Sequence, residues 1–229
     1  MKRFSPSVRC LLSAAVLTGV AVPASGAVFT GSWTGGFATS GPVPDGTATG
    51  WFDVRALPIP SDHTVLDVNV SISLSGGWNG DLYAYLTNPA APGVAVLLNR
   101  PGRTGGNPFG YSDAALTITL DDGALNDTHT YQSVSGYATL IGNGSAWQPD
   151  GRNVNPFTVD GTEARTSMLS VFNGISPGAG GWTLFVADLA SGSQAAVSGW
   201  GLTVVTVPEP SAASAAALIL WILSARRKR

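Results

Sequence analysis

The chain has 229 residues, enough for one ordinary domain, and only 11% of them are charged. Seven of the twelve Lys and Arg lie at the two ends, so residues 28–207 hold five basic against thirteen acidic residues, a formal −8. That sign repels phosphate backbones and excludes nucleic acid as a partner, and the lone Cys10 excludes an intrachain disulfide.

Residues 1–27 begin with Lys2, Arg3 and Arg9, continue with an apolar run from Leu11 to Val22, and end in Ala24, Gly26 and Ala27. A basic start, a short apolar stretch and small residues predict a secretory signal peptide cut after Gly26 or Ala27. Cys10 would leave with it.

The middle, residues 28–206, predicts strands. Leu66, Val68, Val70, Ile72 and Leu74 alternate with polar residues, which is the period of a half-buried strand. Asp81–Leu86 places Leu82, Ala84 and Leu86 on one face and Tyr83 and Tyr85 on the other. Val94–Leu98, Ala115–Leu120, Trp182–Ala187 and Ser198–Val205 complete the set, separated by Gly, Pro, Asn and Asp. Asp121–Ser167 reads as loop. The expected fold is all-β, a single β-sandwich of jelly-roll type, with a short helix only at the C-terminus.

The tail combines Val207-Pro208-Glu209-Pro210, an uncharged run from Ser211 to Ala225, and the basic cluster Arg226, Arg227, Lys228 and Arg229. As a helix the run would measure roughly 22 Å, short of a hydrocarbon core of about 30 Å. Its basic end would stay on the cytoplasmic side and leave the main domain outside.

The tail resembles the PEP-CTERM sorting signal of Gram-negative bacteria: motif, short apolar helix, basic end. That resemblance implies residues 207–229 are an address label. An exosortase would process it in the inner membrane, which the protein visits transiently before reaching the cell surface or an exopolysaccharide matrix. The middle resembles the P domain found beside convertase-type proteases. Gly80-Asp81-Leu82 with Leu86 and Pro89 matches one element. Gly181-Trp182-Thr183-Leu184 with Val186 and Asp188 matches a second, and Trp200 with Leu202 a closing strand. Val43-Pro44-Asp45 resembles its opening, and Asn107–Asp113 (NPFGYSD) a further piece. The family's His before the GDL element is absent.

Structural roles account for these matching residues. Trp182 and Trp200 can fill the space between sheets and need partners for their indole N–H groups. Gly80 supplies a turn shape, and Asp81 and Asp188 sit at strand ends where a carboxylate accepts backbone N–H groups.

No catalytic set emerges. Arg165-Thr166-Ser167-Met168 resembles the surroundings of a subtilase serine, but Arg stands where glycine belongs. His63 and His129 read as exposed turn residues. Asp121, Asp122, Asn126, Asp127 and Asp150–Asn155 offer oxygen ligands that would suit calcium, without a complete EF-hand order. Trp33, Trp51, Trp78, Trp147, Tyr83, Tyr85 and Tyr137 are assigned outside the core as rings for sugar stacking. The expected function is that of an exported, non-enzymatic structural or adhesive protein with no required cofactor. The alternatives are a carbohydrate- or protein-binding module, calcium-dependent or not, and a hydrolase with an unfamiliar site.

Overall fold

A computed structural model describes residues 26–177 and 181–209. Most of the expected signal peptide, Pro210, the apolar run and the four terminal basic residues lie outside the described residues.

The described chain is all-β and forms two sheets. Its strands are β1 (Ala27–Trp33), β2 (Thr47–Arg55), β3 (His63–Gly76), β4 (Leu82–Thr87), β5 (Val94–Asn99), β6 (Leu116–Leu120), β7 (Ala146–Trp147), β8 (Trp182–Asp188) and β9 (Ala195–Pro208). One sheet runs β1-β9-β3-β6-β7 and the other β2-β8-β4-β5. Every pair is antiparallel except β6 with the two-residue β7. The pairs β1·β9, β2·β8, β3·β6 and β4·β5 nest inside one another along the chain. The inward residues of both sheets form one apolar cluster, including Val70, Ile72, Leu82, Leu86, Leu184 and Val204.

The expected alternation in β3 holds from Val68 to Leu74, all buried, but not at Leu66. The β3·β9 register shifts between Val65 and Asp67, so Leu66 is the extra residue of a bulge. A one-residue insertion moves a side chain to the opposite face. Leu66 is therefore 48% exposed and Val65 takes the inward place at 0%.

β5 is buried from Ala95 to Asn99 on both faces. Its outer edge is closed by the chain that follows. Val96 N–H donates to Ser167 O (2.8 Å), and Val96 O and Leu97 O accept from Gly151 and Asp150 N–H (2.9 and 3.0 Å). The loop expected over Asp121–Ser167 thus covers a sheet edge that would otherwise be open to pairing. It also holds short helical turns at Thr128–Ser133 and Tyr137–Leu140.

Two of the expected surface aromatics belong to the core instead. Trp51 is 0% and Trp147 1% exposed. Trp51 lies on β2, where a register shift between Thr47 and Trp51 turns it inward, and its ring meets Phe37 edge-on at 5.2 Å.

Val65→Ala should cost about 2 kcal/mol by opening a cavity, and Leu66→Ser less than about 0.5 kcal/mol. Urea denaturation of the two variants checks the bulge, since an unshifted strand would reverse the order.

Candidate functional site

The Gly80-Asp81 turn and Asp188 meet at one end of the β2-β8-β4-β5 sheet, whereas Trp182 begins β8 at the other end. Gly80 follows Trp78 in a single helical turn, Asn79–Asp81, that leads into β4. This turn docks on the Asn107–Asp113 segment: Gly80 N–H donates to Tyr111 O (2.8 Å) and Asn79 N–H to Asp113 O (2.9 Å). A Cβ on Gly80 would lie 2.4 Å from Phe109 O and 2.5 Å from Tyr111 N. Gly80 is required by this backbone-to-backbone approach. The turn shape expected for it does not demand a glycine, because its φ lies outside the left-handed region.

Asp81 and Asp188 meet across the ladder, where Leu82 pairs with Asp188. Both are buried, at 2% and 0% exposure. Asp188 ends β8 as expected and its Oδ2 accepts from Ala195 N–H (3.0 Å). Asp81 instead accepts from a guanidinium, with Arg100 Nη2 at 3.2 Å, while Arg100 Nε donates to Gly80 O (2.8 Å). Burial, then the charges of Asp45 and Asp81, push Asp188 up to about 6 against the backbone donors of Ala195 and Ala190. Asp45, Asp81 and Asp188 come from three separate sequence elements, yet the charge of Asp45 acts on both of the others and that of Asp81 on Asp188.

Trp182 and Trp200 fill the space between the sheets. Trp182 meets Phe172 edge-on at 5.0 Å, and Trp200 lies 4.6 Å from Trp33. Trp200 Nε1 donates to Asp53 Oδ2 on the other sheet at 2.8 Å. Burial alone would raise Asp53, but donors from Trp200, Arg55 and Ala38 hold it below the ordinary carboxylate value. Pro208 closes β9 opposite His63. Glu209 N–H donates to Asp62 O (2.7 Å), and Thr64 Oγ1 donates to Glu209 Oε1 (3.2 Å).

His129 is the largest departure from expectation. It is 1% exposed, not a surface turn residue. Its Nδ1 lies 2.7 Å from Asp150 Oδ2 and its Nε2 lies 3.0 Å from Arg103 O. Carboxylate and carbonyl oxygens only accept, so the ring carries both protons. Burial would lower its pKa; the Asp150 bond and charge and the Arg103 carbonyl raise it above the ordinary value. Arg152 bridges Asp150 and Asp127 at 3.2 and 2.9 Å, and Arg165 Nε donates to Asp150 O at 2.9 Å. These residues lie in a stretch without periodicity, which is why the sequence conceals them.

An Asp–His pair is two thirds of a hydrolytic triad, but the position a nucleophile needs at Nε2 is held by the Arg103 carbonyl. Ser167 is built into the backbone cover of β5. Of the calcium candidates, Asp122 accepts from Leu169 and Ser170 N–H (2.9 and 2.8 Å) and Asp121 from Gly123 N–H (2.7 Å), while Asp127 and Asp150 accept from the Arg152 guanidinium. Among the described residues no three His, Cys, Asp or Glu side chains gather as a metal site.

The outer face of the β2-β8-β4-β5 sheet carries a row of rings. Phe52 pairs with Phe185, Phe185 with Tyr85, and the Tyr85 and Phe185 rings stack at 4.8 Å and 19°. Tyr83 follows 6.0 Å from Tyr85. The pair Tyr83 and Tyr85 does share a face, and it is half-buried under its own neighbours.

No family model and no curated relative matches the chain.

Two outcomes are expected. Gly80→Ala should destabilise the fold by about 2 kcal/mol, read as a lower urea midpoint, because the turn cannot retreat from Tyr111. Stability should also fall as pH rises. The raised pKa of Asp188 makes its contribution complete below pH 3.8 and lost through about 6. That of His129 is complete below 6.5 and lost as pH rises through its higher folded value. Asp188→Asn should remove the lower part of the decline, and denaturation midpoints from pH 4 to 9 measure both parts.

Proposed function

We propose that this is an exported, non-enzymatic surface or exopolysaccharide-matrix protein, structural or adhesive in role. On this reading the two sheets form a jelly-roll sandwich of P-domain type. The strand order supports that fold, since nested antiparallel pairs are what a rolled-up hairpin produces. Residues 1–27 act as the signal peptide and 207–229 as the PEP-CTERM label, processed by an exosortase.

The observation that carries the reading is the placement of the two ends. Ala27 pairs with Thr206, so the expected cleavage point and the start of the sorting motif emerge side by side on neighbouring strands. On this reading the β-domain occupies the stretch between the two address signals. Its interior charges support a structural role as well, because His129, Arg152, Arg100 and Asp53 are all engaged within the fold.

A second reading is a carbohydrate- or protein-binding module. The ring row from Phe52 to Tyr83 favours it, since stacked rings on an outer sheet face offer apolar surface to a partner.

Removing residues 210–229 should leave the melting temperature unchanged and abolish surface delivery. Removing residues 207–229 should also lower the melting temperature, because Val207 and Pro208 pair with Thr64 and His63. Fractionation of cells carrying each truncation, with thermal melts of the recovered proteins, checks this. Unchanged location and processing in both truncations would sink the sorting reading.

A further inference from the structure

The outer face of the β1-β9-β3-β6-β7 sheet is the opposite of the ring row. Two adjoining hollows of about 290 and 190 Å³ lie on it and share Ser32, Ser71 and Thr119. The ladder explains them. Ser32 pairs with Gly201, Gly201 with Ser71, and Ser71 with Thr119. The next row places Gly199 against Ser73, and Ser73 against Thr117. Gly199 lines the smaller hollow, Gly201 lines neither, and the hydroxyl residues Ser32, Ser71, Thr117 and Thr119 flank the trough.

Glycine inside a strand is unfavourable and marks a place where a ligand or another backbone comes close. At Gly201 the close neighbours are the sheet's own, since a Cβ there would lie 2.6 Å from Ser71 Oγ and 2.8 Å from the Gly31 carbonyl oxygen. The trough crosses four strands, roughly 14 Å at about 4.8 Å per strand. That is longer than a single small molecule needs.

The lining chemistry selects the occupant. Serine and threonine hydroxyls both donate and accept. No Lys, Arg, His, Asp or Glu lines either hollow, and the surrounding domain is acidic. An anionic polymer finds no counter-charge there. A protein partner finds an apolar centre only in the smaller hollow, and an interface is ordinarily built on a broad one. An uncharged sugar chain meets hydroxyls in the larger hollow and apolar surface for its C–H faces in the smaller. We propose that this trough binds a segment of neutral polysaccharide. The inference deepens the binding-module reading and rests on it, but assigns the site to the sheet opposite the ring row.

The test is calorimetric titration of the full chain, purified in detergent, with cellohexaose and maltohexaose as neutral probes and oligogalacturonate as the acidic one. Saturable binding of a neutral probe is expected, weakened at least tenfold by Ser71→Leu, which fills the trough. Ser71 is exposed, and a melt confirms that the variant folds. If it does not, Thr119→Val removes one hydroxyl without adding bulk and should weaken binding at least threefold. Leu125→Ser, at a site 94% exposed and outside both hollows, should leave affinity unchanged.

Binding that survives the trough variants but is lost in Tyr85→Ala overturns the trough and leaves the module reading standing on the ring row. Preference for oligogalacturonate, or a dimer dissolved by Ser71→Leu with no sugar bound, also overturns the proposal. Absence of binding by any probe overturns the trough and the carbohydrate half of the module reading. None of these results touches the sorting reading, which is measured by location.

Discussion

A buried carboxylate ties the two sheets together. Asp53 stands on β2, inside one sheet, and receives the indole N–H of Trp200 from the other. The same carboxylate takes Ala38 N–H at 2.8 Å and Arg55 Nε at 2.7 Å. A buried charge is tolerated only when its oxygens are occupied by donors, and removing one donor leaves the rest of the cost in place. The position of β9 over β2, the path of the chain between β1 and β2, and the orientation of Arg55 over the Trp33 ring therefore depend on one another. Apolar packing between sheets is non-directional; this contact adds the direction.

Much of the fold was legible because half-buried strands announce themselves. β3, β4, β5, β6, β8 and β9 alternate or carry a continuous apolar run, and each was expected within a few residues of its place. β1, β2 and the two-residue β7 were not. β1 is an edge strand whose Val28 points outward at 61% exposure, and β2 is interrupted by a register shift before Trp51. A break in the ladder breaks the period that identifies a strand. The same cause hid Leu66, whose apolar side chain fits the sequence alternation and violates it in space.

The site was legible in its motifs and obscure in its contacts. Gly80, Asp81 and Asp188 meet at one end of a sheet, and Trp182 and Trp200 lie in the core. What holds them depends on residues with no local signal. Arg100 reaches Asp81 from nineteen positions away, and Asp150 reaches His129 from twenty-one. Such pairs form where loops cross, and crossing is decided by topology, not by neighbours in sequence. The hydroxyls above Gly199 and Gly201 were visible as the polar half of the β3 alternation. Their meaning emerged only when β9 was laid beside them.

The last strand among the described residues is also an interior strand of its sheet, held by β1 on one side and β3 on the other. Synthesis order and assembly order therefore disagree. Until residue 208 is free, β1 has no partner and β3 lacks the neighbour with which it makes its longest ladder. Contacts that span nearly the whole chain are slow to form, since loop closure must precede any gain from pairing. The β1-β9-β3 part of the sheet therefore closes only after β9 has been made, whatever the other ladders do first.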